Sequence, residues 1–277
     1  MKATNIIIQK TILNDYQNGL SNKEISLKYN LHRSTIQRIL IRNNIVLRKQ
    51  NETARKYEIL NENYFKFIDS EKKAYILGLL FADGYINKNG FGITLMEDDK
   101  ELLEKISKII YGKIVLNFRK GRIDSRNIKY KSKPQYRFEV TSLKMKNDLI
   151  KHGCVKAKTF KIRLPQLDKK LYSHFIRGYF DGDGSICIPT KKTNNVIFTI
   201  TSNIKFCDDI AKYVNNNNNL NVNMKSIIRY GDIGMNRLTG RKQIIRFLNW
   251  LYDNATIFMN RKQTKFKLIK TNMKENE

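Results

Sequence analysis

Acidic residues are scarce in this chain of 277 residues: 25 Asp and Glu stand against 53 Lys and Arg, a formal charge of +28. That excess goes beyond the needs of solubility and points to a polyanionic partner. Long apolar runs are lacking too. The longest, Ala74 to Ala82 with one Gly inside it, is too short to span a bilayer, so no membrane partner is expected. The opening MKATNIIIQK has no sustained apolar segment, so no signal peptide is expected and the protein is not expected to be secreted. Cysteine is rare: Cys154, Cys187 and Cys207 are isolated, form no CxxC and are odd in number. They suit a reducing compartment and read as packing residues. Histidine is as rare, and His32, His152 and His174 are scattered. That spacing argues against a zinc site or a histidine-dependent nuclease motif. Asn215 to Asn219 is an unbroken Asn run, read as a loop of biased composition.

Against these absences stands FIRGYFDGDGSI, Phe175 to Ile186. Phe175, Ile176, Tyr179 and Phe180 fall at helical spacing. Gly184 suits a helix end, since glycine takes positive φ without steric cost. Asp183 does not, because a carboxylate at a helix C-terminus costs about 0.3–1 kcal/mol. The segment YILGLLFADGYI, Tyr75 to Ile86, repeats the arrangement, with Asp83 before Gly84. Gly78 and Ala82 share one helix face, as do Gly178 and Gly182. An internal Gly costs a helix about 1 kcal/mol relative to Ala. Its use at matched positions predicts that the two helices pack on each other, bringing Asp83 and Asp183 together. Two adjacent carboxylates need a shared proton or a bound cation, and hard divalent cations take carboxylates plus substrate phosphate. The plainer reading of either segment alone is a buried helix followed by an Asp-Gly turn; the matched second copy counts against it. An EF-hand loop starting at Asp181 fails, since Ile186 and Lys192 stand where Gly and Glu are required.

The order of elements after each Asp-Gly is also repeated. In the first half, Tyr85–Asn87 and Phe91–Leu95 read as a hairpin and Lys100–Ile110 as a helix. Ile114–Phe118 and Tyr136–Thr141 read as strands, and Met145–His152 as a second helix. In the second half the same order runs through Ser185–Ile188, Val196–Thr201, Ile204–Val214, Met224–Tyr230, Asn236–Thr239 and Arg241–Asn254. The expected class is α+β: two pseudo-symmetric αββαββα halves, over residues 71–168 and 169–272.

Aligned as Ile76-Leu-Gly-Leu-Leu-Phe-Ala-Asp-Gly84 and Ile176-Arg-Gly-Tyr-Phe-Asp-Gly-Asp-Gly184, the two segments resemble the LAGLIDADG motif. From about Glu71 to Lys270 the chain resembles a two-motif, single-chain LAGLIDADG homing endonuclease. The resemblance implies that the motif helices form the interface and that antiparallel sheet saddles straddle a DNA major groove. It implies a monomer that cuts double-stranded DNA at a long, loosely read site, leaving short 3′ overhangs. Catalytic Mg²⁺ or Mn²⁺ would be held by Asp83 and Asp183, with Ala82 and Gly182 as further metal contacts. Phe81 departs from the pattern, standing where many members carry Asp, at a position that is not the metal ligand. His152 to Thr159 with Pro165, and Phe258 to Gln263 with Lys265 and Phe266, resemble the segments that end each half. In the family such segments place a Lys near the hydrolytic water, which the resemblance carries to Lys158 and Lys262. A solvated or phosphate-contacting side chain is the alternative for either one.

Residues 1–46 form a separate story. Ile12, Leu13 and Tyr16 suggest a first helix. Ser21 with Glu24 is a capping box that starts a second, and Arg33–Leu40 is a third. This resembles a helix-turn-helix whose third helix would offer Arg33, Ser34, Thr35, Gln37 and Arg38 to DNA; a plain helical bundle is the alternative. Residues 47–70 read as a linker. On the strands, Arg119, Lys120, Arg122, Lys129, Lys131, Lys133, Arg137, Lys191, Lys192, Arg229, Arg237 and Arg241 are candidate DNA contacts, many of them to phosphate alone. Two rivals share the scaffold: a non-cleaving DNA-binding regulator, in which the motif acids are often lost, and an intron RNA maturase. An intein is not expected, since the chain begins at Met1 and carries no splicing blocks. Heavy use of Asn, Lys and Ile fits a low-GC genome or phage, so a bacterial or phage-infected cytoplasm, or an organelle, is the expected location.

Overall fold

A computed structural model describes residues 6–18, 20–47, 57–121, 123–124, 127–131, 133–156, 158–188 and 196–274. The chain divides into two compact units, Met1–Lys56 and Tyr57–Glu277.

In the first unit, helices α1 (Ile6–Gln17), α2 (Asn22–Tyr29) and α3 (Arg33–Arg42) enclose a small core of Ile12, Tyr16, Ile25, Ile36, Ile39 and Leu40. The expected capping box is present: the Glu24 N–H donates to Ser21 Oγ at 3.2 Å, and the Ser21 N–H donates to Glu24 Oε2 at 2.8 Å. Asn30 closes α2 at φ 50°, a left-handed conformation that Asn tolerates better than most residues. With so small a core, one cap carries weight. Ser21→Ala should cost this unit about 1 kcal/mol, seen as faster amide exchange over residues 22–29.

The second unit is built on α4 (Glu71–Ala82) and α7 (Tyr172–Asp183). Every residue of α4 from Ala74 to Ala82 is buried, as befits a helix apolar on all sides. Around this pair the two halves repeat. The first runs β1 (Gly84–Ile86), β2 (Gly90–Met96), α5 (Lys100–Tyr111), β3 (Asn117–Arg119), β4 (Ile123–Asp124), β5 (Asn127–Lys131), β6 (Gln135–Thr141) and α6 (Leu143–Lys151). After α7 the second runs β7 (Gly184–Cys187), β8 (Ile197–Asn203), α8 (Ile204–Asn215), β9 (Lys225–Tyr230), β10 (Ile233–Thr239), α9 (Arg241–Tyr252) and α10 (Asn260–Lys274). The two four-stranded antiparallel sheets have matching orders, β1-β2-β6-β3 and β7-β8-β10-β9, and β4 pairs with β5 in a separate ribbon. One continuous apolar core joins both halves.

Three expectations need correction. The linker ends early: Ile59 and Phe65 are buried in the core of the second unit, so residues 57–70 belong to it, while 48–56 lie outside the described residues. Gly184 does not use positive φ; at φ −99° its backbone suits any residue. Glycine is required there because a Cβ would collide with the Phe180 ring, just as one on Gly84 would lie 2.6 Å from Leu80. Finally, Arg241–Asn254 is not the last helix: a further one, α10, follows it and buries Lys262, Phe266 and Ile269. Its polar composition hid that narrow inward stripe.

Candidate active site

The pairing of α4 with α7 depends on reciprocal glycines. A Cβ on Gly78 would overlap the Phe175 carbonyl oxygen and lie 2.9 Å from the Tyr179 nitrogen. A Cβ on Gly178 would overlap the Tyr75 carbonyl oxygen and lie 2.9 Å from the Leu79 nitrogen. The helices therefore meet backbone to backbone. At their C-terminal ends a Cβ on Gly182 would sit 2.5 Å from Ala82 Cβ and 2.8 Å from Asp83 Oδ2. The two acids share one locality: burial, and then the charge of Asp183, push the Asp83 carboxyl up to about 6. Asp183 is more exposed, yet loss of solvent on its protein side raises it too, opposed by Lys158, Tyr179 and Lys262.

The two motif segments thus meet as the paired helices α4 and α7, each at the head of one half of the second unit. Each motif ends under a lysine. Lys158 Nζ donates to the Leu80 carbonyl at 2.8 Å and to that of Ala82, and burial lowers its pKa. Lys262, 4% exposed, donates to the Gly184 carbonyl and lies 4.9 Å over the Phe180 ring. Burial, followed by the charge of Arg261, brings Lys262 down to about 8. Lys158 neutralises the negative end of α4, and Lys262 places its charge just past the end of α7, which answers the electrostatic objection to an acid at either place. A cavity of about 290 Å³ opens beside Lys158, Tyr179, Asp183 and Ser202. Among the described residues no group of three or more His, Cys, Asp or Glu gathers to hold a metal, so the candidate anionic donors are these two carboxylates.

Sequence reasoning missed several residues here. Tyr179 donates to Ser202 Oγ at 2.9 Å and counters the rise of the Asp183 carboxyl, a role that its place in the apolar helical pattern does not show. Arg261, beside the acids, pairs with Asp99 at 2.9 Å. Arg177, inside the second motif, is fully buried and bonds Glu71 at 2.7 Å, the Ile257 carbonyl at 3.2 Å and the Leu251 carbonyl. Glu71 in turn accepts from the N–H and Oγ1 of Thr256, both at 2.7 Å. This network ties the start of α4 to the far end of the second half. Arg177→Met should cost about 3–5 kcal/mol in denaturant melts, because it strands the partner charge.

The outer face of each sheet carries the expected basic residues unevenly. Arg119 and Arg229 are exposed on strands, Lys120 and Lys133 are exposed beside strand ends, and Arg137 and Arg237 are half-buried; Arg241, expected on a strand, instead opens α9 and is half-buried too, and among the described residues the Nε of each of these last three has no hydrogen-bond partner. Arg122, Lys191 and Lys192 lie outside the described residues, and Lys129 and Lys131 are described only as part of β5. A search for positive charge overlooked Glu139, which accepts from Tyr85 Oη at 2.7 Å and pairs with Arg137 at 3.3 Å. Strand register aligns Tyr85, Gly92 and Glu139 in one sheet with Ser185, Thr199 and Arg237 in the other. The two outer faces thus differ in charge at a matched position. On α3, Arg33, Gln37 and Arg38 are exposed; Ser34 and Thr35 are half-buried.

No family model matches the chain. Over 169 residues it is 29% identical to an uncharacterized protein of Methanocaldococcus jannaschii, covering 58% of this chain and 57% of that protein. It thus spans little more than half the length of that curated relative. Among solved structures, the homing endonuclease I-WcaI bound to its DNA recognition sequence is 13% identical, over 73% of this chain and 90% of that one, with a TM-score of 0.49. I-SmaMI, bound to uncleaved DNA in the presence of calcium ions, is 14% identical over 73% and 92%, with a TM-score of 0.45. The N-terminal LAGLIDADG domain of WhiA is 16% identical over 69% and 89%, with a TM-score of 0.42. No helix among the described residues is long and apolar enough to cross a membrane.

Proposed function

We propose that this protein is a site-specific double-stranded DNA endonuclease dependent on a divalent cation. The observation that carries the reading is the meeting of Asp83 and Asp183 at the ends of the paired helices. The donor set fits Mg²⁺ or Mn²⁺: two neighbouring carboxylates, both raised by their setting, leave charge that a hard cation would balance together with a phosphate. Asp83 and Asp183 would hold it, with Ala82 and Gly182 beside them; the Ala82 carbonyl already accepts from Lys158, which leaves it one lone pair. When bound, such a cation neutralises phosphate charge and lowers the pKa of water, which lets hydrolysis proceed without a histidine base.

The chain's own residues do the rest. Asp83 and Asp183 each serve one strand of the duplex. Lys158 and Lys262 keep the helix-end carbonyls compensated, so that the carboxylates stay in place as phosphate arrives. Arg and Lys of the two outer faces hold the sugar-phosphate backbone, each lost phosphate contact reducing the salt slope of binding by about 1. Residues 1–46 act as a helix-turn-helix that lengthens the recognised site through Arg33, Gln37 and Arg38. Deleting residues 1–45 should weaken affinity or shorten the footprint while leaving cleavage intact, as footprinting would show; an unchanged footprint counts against that role.

The deciding experiment incubates the purified protein with duplex DNA spanning its own insertion locus, in Mg²⁺ or in EDTA. Cleavage that EDTA abolishes is expected. Tight binding with no strand scission in Mg²⁺ or Mn²⁺ would instead make the protein a regulator on this scaffold.

A further inference from the structure

We infer that Asp181 is a positioning residue that holds Lys262 at the second half's site by fixing the turn before α10. The inference rests on the nuclease reading above for what Lys262 does there, not for where it sits.

Asp181 is completely buried two residues before Asp183. Its carboxylate accepts from three uncharged donors: Tyr75 Oη at 2.6 Å, Tyr252 Oη at 3.0 Å and the backbone N–H of Met259 at 2.7 Å. Arg177, the nearby cation, spends its hydrogen bonds on Glu71, His174 and two carbonyls instead. A buried carboxylate with no ion-pair partner among the described residues is costly, so its acceptors must secure something the fold needs. Two of its donors are tyrosines that could be replaced by phenylalanine together with an apolar residue at 181. The third is backbone, and cannot be replaced in that way.

Met259 is the hinge of the arrangement. Its N–H is held by Asp181, while its carbonyl accepts from the Lys262 N–H at 3.0 Å and the Gln263 N–H at 3.2 Å, forming the first turn of α10. Lys262 then reaches back to the Gly184 carbonyl. The path from Asp181 through Met259 and Lys262 to Gly184 closes a ring around Asp183. The first half solves the same problem differently. Phe81 occupies the matched motif position, and a Cβ on Gly153, in the turn leading to Lys158, would lie 3.3 Å from its ring. There the motif residue meets the turn by apolar contact, and Phe175 packs edge-on at 5.2 Å. One motif position thus supports the lysine-bearing segment in both halves, by hydrogen bond in one and by packing in the other.

The test uses the full chain carrying Asp181→Ser, whose side chain is too short to reach Met259, and independently Met259→Pro, which removes the N–H and leaves the carboxylate. On end-labelled duplex, both should slow scission of one strand at least tenfold more than the other, so that supercoiled plasmid accumulates as the nicked form. Asp181→Asn, which keeps an acceptor for the Met259 N–H, should restore balance. Hydrogen exchange over residues 253–262 should rise in the first two variants and not in a Tyr75→Phe/Tyr252→Phe control. Equal slowing of both strands, or wild-type exchange over 253–262 in both variants, overturns the inference. If the wild type cuts no DNA, the nuclease reading fails, and the exchange measurement still decides whether Asp181 fixes the segment.

Discussion

Replacing Gly78 or Gly178 with alanine is expected to destabilise the protein by about 2–4 kcal/mol, and with leucine to prevent folding. Two effects oppose each other. Alanine is the better helix former by about 1 kcal/mol. Against that, the new methyl overlaps a carbonyl oxygen of the partner helix, a collision with backbone that no rotamer can relieve. Overpacking a tight core costs about 1–3 kcal/mol and occasionally more. Here the helices must also part along a buried seam, so the collision outweighs the propensity gain. The midpoint of urea or thermal unfolding is the measurement. A stabilised Gly78→Ala variant would mean that α4 and α7 do not touch at this point.

The second large effect is chemical. Asp83→Asn and Asp183→Asn should each abolish double-strand cleavage, by a factor of about 10³ or more, while binding to the duplex is kept, because binding rests on many phosphate contacts. Full cutting by either variant in Mg²⁺ would remove these acids from the chemistry. The same substitutions should raise stability at neutral pH. In the folded protein Asp83 holds its proton up to about 6, against an ordinary value of 3.8. A raised carboxylate contributes stability that is fully present below pH 4 and is lost as pH rises through 6. Asp83→Asn should therefore exceed the wild type by ~1–3 kcal/mol at pH 7.5 and lose that advantage near pH 4. Millimolar Mg²⁺ should raise the wild-type melting temperature at pH 7.5 more than that of Asp83→Asn, since ligand that binds only the folded state stabilises it.

Much of this was legible in the residues themselves. Matched glycines inside two apolar helices predict close packing from sterics alone, and the acids follow from their position after those glycines. Hairpins and helices were readable because their patterns are strong and local. What stayed hidden depends on tertiary partners. Arg177 looks like a surface residue within its motif, and nothing local says that Glu71 meets it. Tyr179 fits the apolar stripe as well as any aromatic residue, so its hydroxyl gave no signal. Lys262 and Phe266 lie in so polar a stretch that the one inward seam of α10 leaves no clear periodicity. Glu139 escaped because a search for phosphate contacts looks only for cations, although an acid among them can accept from a base amino group.

The reciprocal glycines of α4 and α7 amount to a dimer interface folded into one chain. Cut in the connecting stretch near residues 163–168, the halves would still carry complementary faces. Self-pairing would nonetheless be handicapped: two first halves would lack the Arg261–Asp99 clasp, and two second halves would bring two copies of Arg177 together with no Glu71 to receive them. Mixed fragments should accordingly outcompete like with like, so the polypeptide link could be dispensable for assembly while the asymmetry between the halves is not.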